Sequence, residues 1–304
     1  MSKQKSNNKY TQKAVQEPVK EGSKKSNFVL RSLIAIAVLG LLIYSNSFDC
    51  SFQLDDKHNI ITNEAIKSLS NIKQMWDLSH SRFLAFYSFA LNYHYGELNV
   101  WGYHFVNLMI HLINSFLVFW ITLLLFRSPG LKNNPVTRHA SAIALLTGLL
   151  FVSHPLATGS VTYIVQRMAS MVAMFYFLSV AMYMKGRLSE AKNKYVYFAG
   201  SLIAFLLAAL SKENAFTLPF ALFLIELYFF NTKKISVNFK DYRVLGAIIG
   251  IPAFIIFAVF NFSLSVLNPL LPSTFNTYTI TSSNYFFTQL SVIVKSIDYC
   301  WYFK

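Results

Sequence analysis

Residues 103–126 read YHFVNLMIHLINSFLVFWITLLLF, a run without Lys, Arg, Asp or Glu. A helix rises about 1.5 Å per residue, so a run of this length crosses the ~30 Å hydrocarbon core of a bilayer. Further apolar runs cover about 28–46, 140–152, 168–184, 195–210, 215–230, 244–262 and 285 to the end. The chain of 304 residues is 54% hydrophobic and 16% aromatic, with mean hydropathy +0.41. No soluble domain hides that much apolar surface, and the alternation of a transmembrane barrel is absent. The pattern predicts an all-α, polytopic membrane protein of about eight transmembrane helices.

The formal net charge is +14. Its Lys and Arg fall in short clusters between apolar runs, a pattern of membrane topology rather than of nucleic-acid binding. Residues 1–27 carry Lys3, Lys5, Lys9, Lys13, Lys20, Lys24 and Lys25. They read as a disordered basic cytoplasmic tail ahead of an uncleaved signal anchor, with 28–304 as the transmembrane domain. Alternating the helices from that start puts three loops inside. These carry Arg127, Lys132 and Arg138, then Lys185, Arg187, Lys192 and Lys194, then Lys233, Lys234, Lys240 and Arg243. All are basic, as the positive-inside rule requires. Cys50 and Cys300 then fall on opposite sides, and no bridge between them is expected.

The outer face receives a first extracytoplasmic loop, 47–102, the His154-Pro155 turn, the Ser211-Lys212-Glu213 turn and the 263–284 loop. Within the large loop, residues 64–78 place Ile66, Leu69, Ile72 and Met75 or Trp76 at helical spacing, with Thr62 or Asn63 as N-cap. Residues 82–95 form a second short aromatic segment. Both are too short to span and read as interfacial helices that hold Asp55-Asp56 near the lipid headgroups.

The polar residues leave definite choices. Asp55-Asp56 is either a general base with a supporting carboxylate or a solvated turn. His104, Asn107, His111 and Asn114 recur at i, i+3, i+7 and i+10, so they share a helix face. That stripe is either interhelical hydrogen-bond glue or the lining of a wet cavity. Arg167, after Gln166, either pairs with a lipid phosphate or snorkels to headgroups, and Lys212, before Glu213, presents the same choice. Glu226 and Asp298 have no assigned role.

Several runs then match a family in order. They are Phe52-Gln53-Leu54-Asp55-Asp56, Ser88-Phe89-Ala90-Leu91-Asn92-Tyr93, Gly102-Tyr103-His104-Phe105-Val106-Asn107, and Val161-Thr162-Tyr163-Ile164-Val165-Gln166-Arg167-Met168. His154-Pro155, Leu210-Ser211-Lys212-Glu213 and Thr217-Leu218-Pro219 belong to the same set. The set resembles the TMTC-like polytopic glycosyltransferases, bacterial relatives of the eukaryotic transmembrane and tetratricopeptide-repeat O-mannosyltransferases. The resemblance implies a GT-C fold and a polyprenyl-phosphate-linked sugar donor. It also implies inverting transfer to a Ser or Thr hydroxyl of an acceptor protein on the extracytoplasmic face. By the same resemblance Asp55 is the base with Asp56 beside it. Arg167, Lys212 and Arg82 face the donor phosphate, and His104, His111, His154, Gln166 and Glu213 line the pocket. No cofactor is required and no metal is demanded. The expected setting is a bacterial inner membrane, or the endoplasmic reticulum if the source is eukaryotic. Phe83 follows Arg82 where the family commonly has Pro. The chain also stops at Lys304, where the family usually continues into more helices, and no tetratricopeptide period is found. The resemblance is therefore to a form short at its C-terminus, either active or truncated and inactive. The rival readings are a lipid-linked-sugar transporter or flippase and a non-catalytic membrane scaffold.

Overall fold

A computed structural model describes residues 21–231. They form helix α1 Glu21–Ile43, a long polar segment with α2 Ile72–Leu78 and α3 Phe83–Gly96, then α4 Val100–Arg127 and α5 Ala140–Ser153. A short α6 Gly159–Thr162 leads into α7 Arg167–Leu188, α8 Ala191–Ala209 and α9 Leu218–Ile225, which continues as a π-helical turn to Phe230. No strand occurs among the described residues. Four stretches are long and apolar enough to cross a membrane: Val100–Arg127, Pro135–Ser153, Ile164–Leu188 and Glu213–Phe230. Two shorter apolar helices cover Asn27–Ile43 and Asn193–Ala209. These six match the first six expected helices, while those over 244–262 and from 285, and Cys300, lie outside the described residues. Helix α1 begins at Glu21 rather than at residue 28.

Helix α4 is the hub, packed against α1, α5 and α7, with α8 on the far side of α7. Small residues permit these approaches, as is usual where lipid offers no hydrophobic drive for association. A Cβ added at Gly148 of α5 would lie 2.6 Å from Ile36 Cδ1 of α1. On α7 and α8, the Ser179 hydroxyl donates to Ser201 O at 2.8 Å and the Ser201 hydroxyl to Ser179 O at 2.9 Å. Such reciprocal bonds leave neither hydroxyl unpaired in an apolar setting.

Polar contacts separate the two ends of the bundle. At one end, the Gly130 N–H donates to Phe229 O at 2.9 Å. There Glu226 accepts from Arg187 Nη2 at 2.6 Å, Arg187 Nε at 2.8 Å and the Tyr183 hydroxyl at 2.9 Å. Glu226, without a role in the sequence, thus ties the end of α7 to the end of the α9 segment. Arg127, Lys132, Arg138 and Lys185 belong to the segments at this end.

The other end gathers the segment 44–99 and the turns after α5 and α8. This segment does not form one helix over 64–78. It makes a 3₁₀ turn, Glu64–Lys67, capped by Asn63, whose side chain accepts the Ala65 N–H, and restarts at Ile72. Ser and Asn side chains divert the backbone between them: the Ser70 N–H donates to Ser68 Oγ at 3.3 Å and Asn71 Nδ2 to Glu64 O at 3.3 Å. Local bonds of this kind compete with helix continuation. Ile66 and Met75 are buried, whereas Ile72 and Trp76 are 53% and 41% exposed. A core of Ile60, Ile66, Met75, Phe86, Phe89 and Tyr103, with Ile164 and Met168, packs this segment onto the starts of α4 and α7.

Candidate functional site

Asp55 and Asp56 are adjacent in sequence and opposite in environment. Asp56 is fully buried. Its Oδ2 accepts the Gln53 N–H at 2.8 Å and its Oδ1 the Val165 N–H at 2.7 Å. One carboxylate thus joins the first loop to the start of α7. Burial pushes the Asp56 carboxyl up, against the N–H groups of Gln53, Val165 and Ile164 and the nearby His104, which pull it down. Its folded value lies above its unfolded one. Its contribution is therefore fully present below the unfolded carboxylate range and lost as pH rises through the raised value. Asp56→Asn turns an amide N–H₂ toward one of those two N–H donors and is expected to cost about 1–3 kcal/mol. Melting midpoints against pH would check this: the gap between wild type and Asp56→Asn should be widest in acid and narrow as pH rises. A gap independent of pH would refute it.

Asp55 is exposed. Its N–H donates to the Tyr163 hydroxyl at 3.1 Å. Burial and the neighbouring Asp55 carboxylate push the Tyr163 phenol up, against that N–H. Leu54 just before it has φ 39°, a left-handed conformation unusual for a leucine, and is 83% exposed. That conformation costs about 1–2 kcal/mol. It is held because Gln53 and Asp56 on either side are bonded to each other, Asp56 N–H to Gln53 O at 2.8 Å. The strained turn presents the Asp55 carboxylate outward on a rigid mount. Tyr163 stood within the matched motif, but its contact spans 108 residues, and no local pattern announces it.

The α4 stripe makes hydrogen bonds between helices and loops. His104 Nδ1 lies 2.9 Å from Val161 O and Nε2 2.8 Å from Cys50 O. A carbonyl only accepts, so both bonds exist at once only when both nitrogens carry a proton. Asn107 Nδ2 donates to Ile164 O at 3.2 Å, His111 Nε2 to Val152 O at 3.2 Å and Asn114 Nδ2 to Ser170 O at 3.0 Å. All four residues are buried. His104 and His111 therefore bind backbone between helices rather than lining an open pocket.

Arg167 departs most from expectation. It is fully buried rather than at an outer interface. Nε donates to Asn107 Oδ1 at 2.7 Å, Nη2 to Tyr103 O at 2.9 Å, and Nη1 to Ser88 O at 3.2 Å and Asn92 Oδ1 at 2.5 Å. Its Cζ sits 4.7 Å from the centre of the Phe89 ring. The guanidinium is spent on protein oxygens of α3 and α4, which leaves Arg82 and Lys212 as cations nearer solvent.

Those cations lie at the turn after α8, where the Leu84 N–H donates to Leu210 O at 2.9 Å. Arg82 Nε donates to Glu213 Oε1 at 3.1 Å and the Ser81 hydroxyl to the same oxygen at 2.7 Å. The Arg82 side chain keeps 40% of its surface exposed. Lys212 is half-buried, and its ammonium has no partner among the described residues. His154 is exposed and caps the next turn, its Nδ1 accepting the Leu156 N–H at 3.3 Å. Gln166 is partly exposed, its side chain without a partner among the described residues. Among those residues no group of three or more His, Cys, Asp and Glu is placed to hold a metal ion.

Comparison with known proteins gives the family context. Over 162 residues the chain is 33% identical to the protein O-mannosyl-transferase tmtc2 of Xenopus laevis, across 49% of this chain and 18% of the relative. Identity to human TMTC2 is 27% over 215 residues, across 66% and 24%. Drosophila melanogaster Tmtc1 is 28% identical over 201 residues, across 62% and 22%. The chain is TMTC-like. This TMTC-like chain is an integral membrane protein. It spans roughly a fifth of the length of the first relatives, the matched share being 18–24%. No family model matches, and no solved structure does.

Proposed function

We propose that this chain is membrane-embedded machinery of a GT-C protein glycosyltransferase. It moves a sugar from a polyprenyl-phosphate carrier to a Ser or Thr hydroxyl of an acceptor protein, on the extracytoplasmic face. The supporting relatives are named protein O-mannosyl-transferases, which makes mannose the sugar to test first. The observation that carries the reading is the division of labour between the aspartates: Asp56 is consumed as a buried anchor, and Asp55 is presented outward beside Tyr163.

In the proposed reaction the acceptor oxygen attacks the anomeric carbon from the face opposite the phosphate, and Asp55 takes its proton. The bond from that carbon to the phosphate oxygen breaks, and its electron pair leaves with the polyprenyl phosphate. Negative charge grows on that oxygen, where Lys212 and Arg82 supply positive charge at the same end of the bundle. Glu213 and Ser81 hold Arg82, while Arg167 fixes α3 and α7. A transport reading would use polar groups near the midplane. On α4 the ring nitrogens of His104, His111 Nε2 and the amide nitrogens of Asn107 and Asn114 are committed to backbone carbonyls, which weighs against it.

Intact mass of secreted and membrane proteins, from cells with and without the gene, tests the function. The expected result is a gain of one or more sugar residues on Ser or Thr that depends on the gene. Identical masses would overturn it and favour a scaffold.

A further inference from the structure

We propose that Tyr163 is the positioning residue of Asp55: its hydroxyl accepts the Asp55 N–H and donates its own proton to the Asp55 carboxylate. The inference rests on the glycosyltransferase reading above and adds the group that holds its base in place.

Three polar contacts tie residues 161–165 to α4 and to the first loop. His104 Nδ1 lies 2.9 Å from Val161 O, Asn107 Nδ2 donates to Ile164 O at 3.2 Å, and the Val165 N–H donates to Asp56 Oδ1 at 2.7 Å. Val161 and Ile164 are themselves fully buried. The Tyr163 N–H donates to Gly159 O at 3.2 Å, and Tyr163 O accepts the Gln166 N–H at 3.1 Å. The backbone of Tyr163 is therefore fixed on both sides, extended at φ −105° and ψ 106° between α6 and α7. Its ring is half-buried, and its hydroxyl meets Asp55 across 108 residues of chain.

A phenol oxygen accepts and donates at the same time. Here it accepts the Asp55 N–H at 3.1 Å, which leaves the phenol proton for a second partner. The Asp55 carboxylate is the side chain that takes it. Apart from Tyr163, that carboxylate has no partner among the described residues. Asn59 bonds only the Asp55 backbone oxygen, through its N–H at 3.0 Å and its side-chain amide at 2.9 Å. An exposed carboxylate without a partner samples several rotamers, yet a base works only within hydrogen-bond reach of its proton. Tyr163 selects one of them, the part played by the third group of a catalytic set. Burial and the Asp55 and Asp56 carboxylates push the phenol up, against the Asp55 N–H, so it is protonated and able to donate at neutral pH. In the reaction the acceptor proton goes to Asp55, and Tyr163 keeps its own.

Two measurements test the role. Tyr163→Phe keeps the ring and removes only the hydroxyl. It is expected to lower kcat for sugar transfer about ten- to a hundredfold, the worth of one hydrogen bond to a charged group, and to leave the donor KM unchanged. Melting midpoints confirm that the variant is folded. The second measurement does not depend on transfer: fluorotyrosine is placed at residue 163 of the purified chain in detergent and titrated by fluorine NMR, with and without Asp55→Asn. Removing the carboxylate removes negative charge that holds the phenol proton, so the midpoint should fall in Asp55→Asn. Full kcat in Tyr163→Phe, a loss carried entirely by KM, or a midpoint unmoved by Asp55→Asn would each overturn the positioning role. In those cases the base reading survives if Asp55→Asn itself has lost transfer. If Asp55→Asn transfers at the wild-type rate, or the wild type transfers nothing, the base falls and the role of Tyr163 with it.

Discussion

Asp55→Asn is expected to remove sugar transfer and leave the protein folded. The amide matches the carboxylate in shape but cannot take a proton from an acceptor hydroxyl. A positioned general base contributes about 10²–10⁴-fold to rate, so the loss should fall in that range. Stability should move by no more than about 0.5 kcal/mol, because the side chain is exposed and makes no buried bond. The backbone N–H that Tyr163 accepts is unchanged by the substitution. Rates of transfer from a polyprenyl-phosphate sugar to an acceptor peptide, read beside melting midpoints, separate Asp55 from its neighbour. Asp56→Asn should fail first as a fold, through the Gln53 and Val165 bonds. Asp55→Asn should fail only as a catalyst. Full transfer in Asp55→Asn would end its assignment as the base, whatever the chain's wider role.

That separation could not be read from the sequence, where the two aspartates are equivalent. What distinguishes them is a pair of N–H groups, and one of these, on Val165, lies 109 residues away from Asp56. The same limit explains other differences. The spacing of His104, Asn107, His111 and Asn114 marked one face of α4. Their partners are backbone carbonyls of Val161, Ile164, Val152 and Ser170, and a carbonyl has no signature in a sequence. The Arg82–Glu213 pair, 131 residues apart, was visible only as two charges in separate turns. Apolar runs fared better, since span length and hydropathy are local: six described helices fall where the runs put them. The failure within 64–78 is also local. Helical periodicity there was real, but Ser68, Ser70 and Asn71 bond to nearby backbone and break it.

Arg167→Met should be the most damaging single change to the fold. A buried guanidinium is costly by itself, and replacing one with a well-packed apolar side chain can stabilise a protein when its partners are replaced too. Here the partners stay. Asn107 Oδ1 and Asn92 Oδ1 lose their donor at 2.7 Å and 2.5 Å, and both face the position Arg167 would vacate. Asn107 is buried, and an orphaned buried acceptor costs about 1–3 kcal/mol, to which the half-buried Asn92 and the lost stacking on Phe89 add. Arg167→Lys should recover only part of this, because a single ammonium cannot reach Asn107, Tyr103 and the Ser88–Asn92 pair in three directions. The damage should be localised: α3 comes loose from α4 and α7, while the Ser179–Ser201 contact of α7 with α8 persists. Hydrogen exchange would then rise over 83–96 and 53–57 and stay low over 179–201. If Arg167→Met melts at the wild-type midpoint with unchanged exchange over α3, the guanidinium does not hold this end of the bundle together. Its burial would then have to serve the reaction.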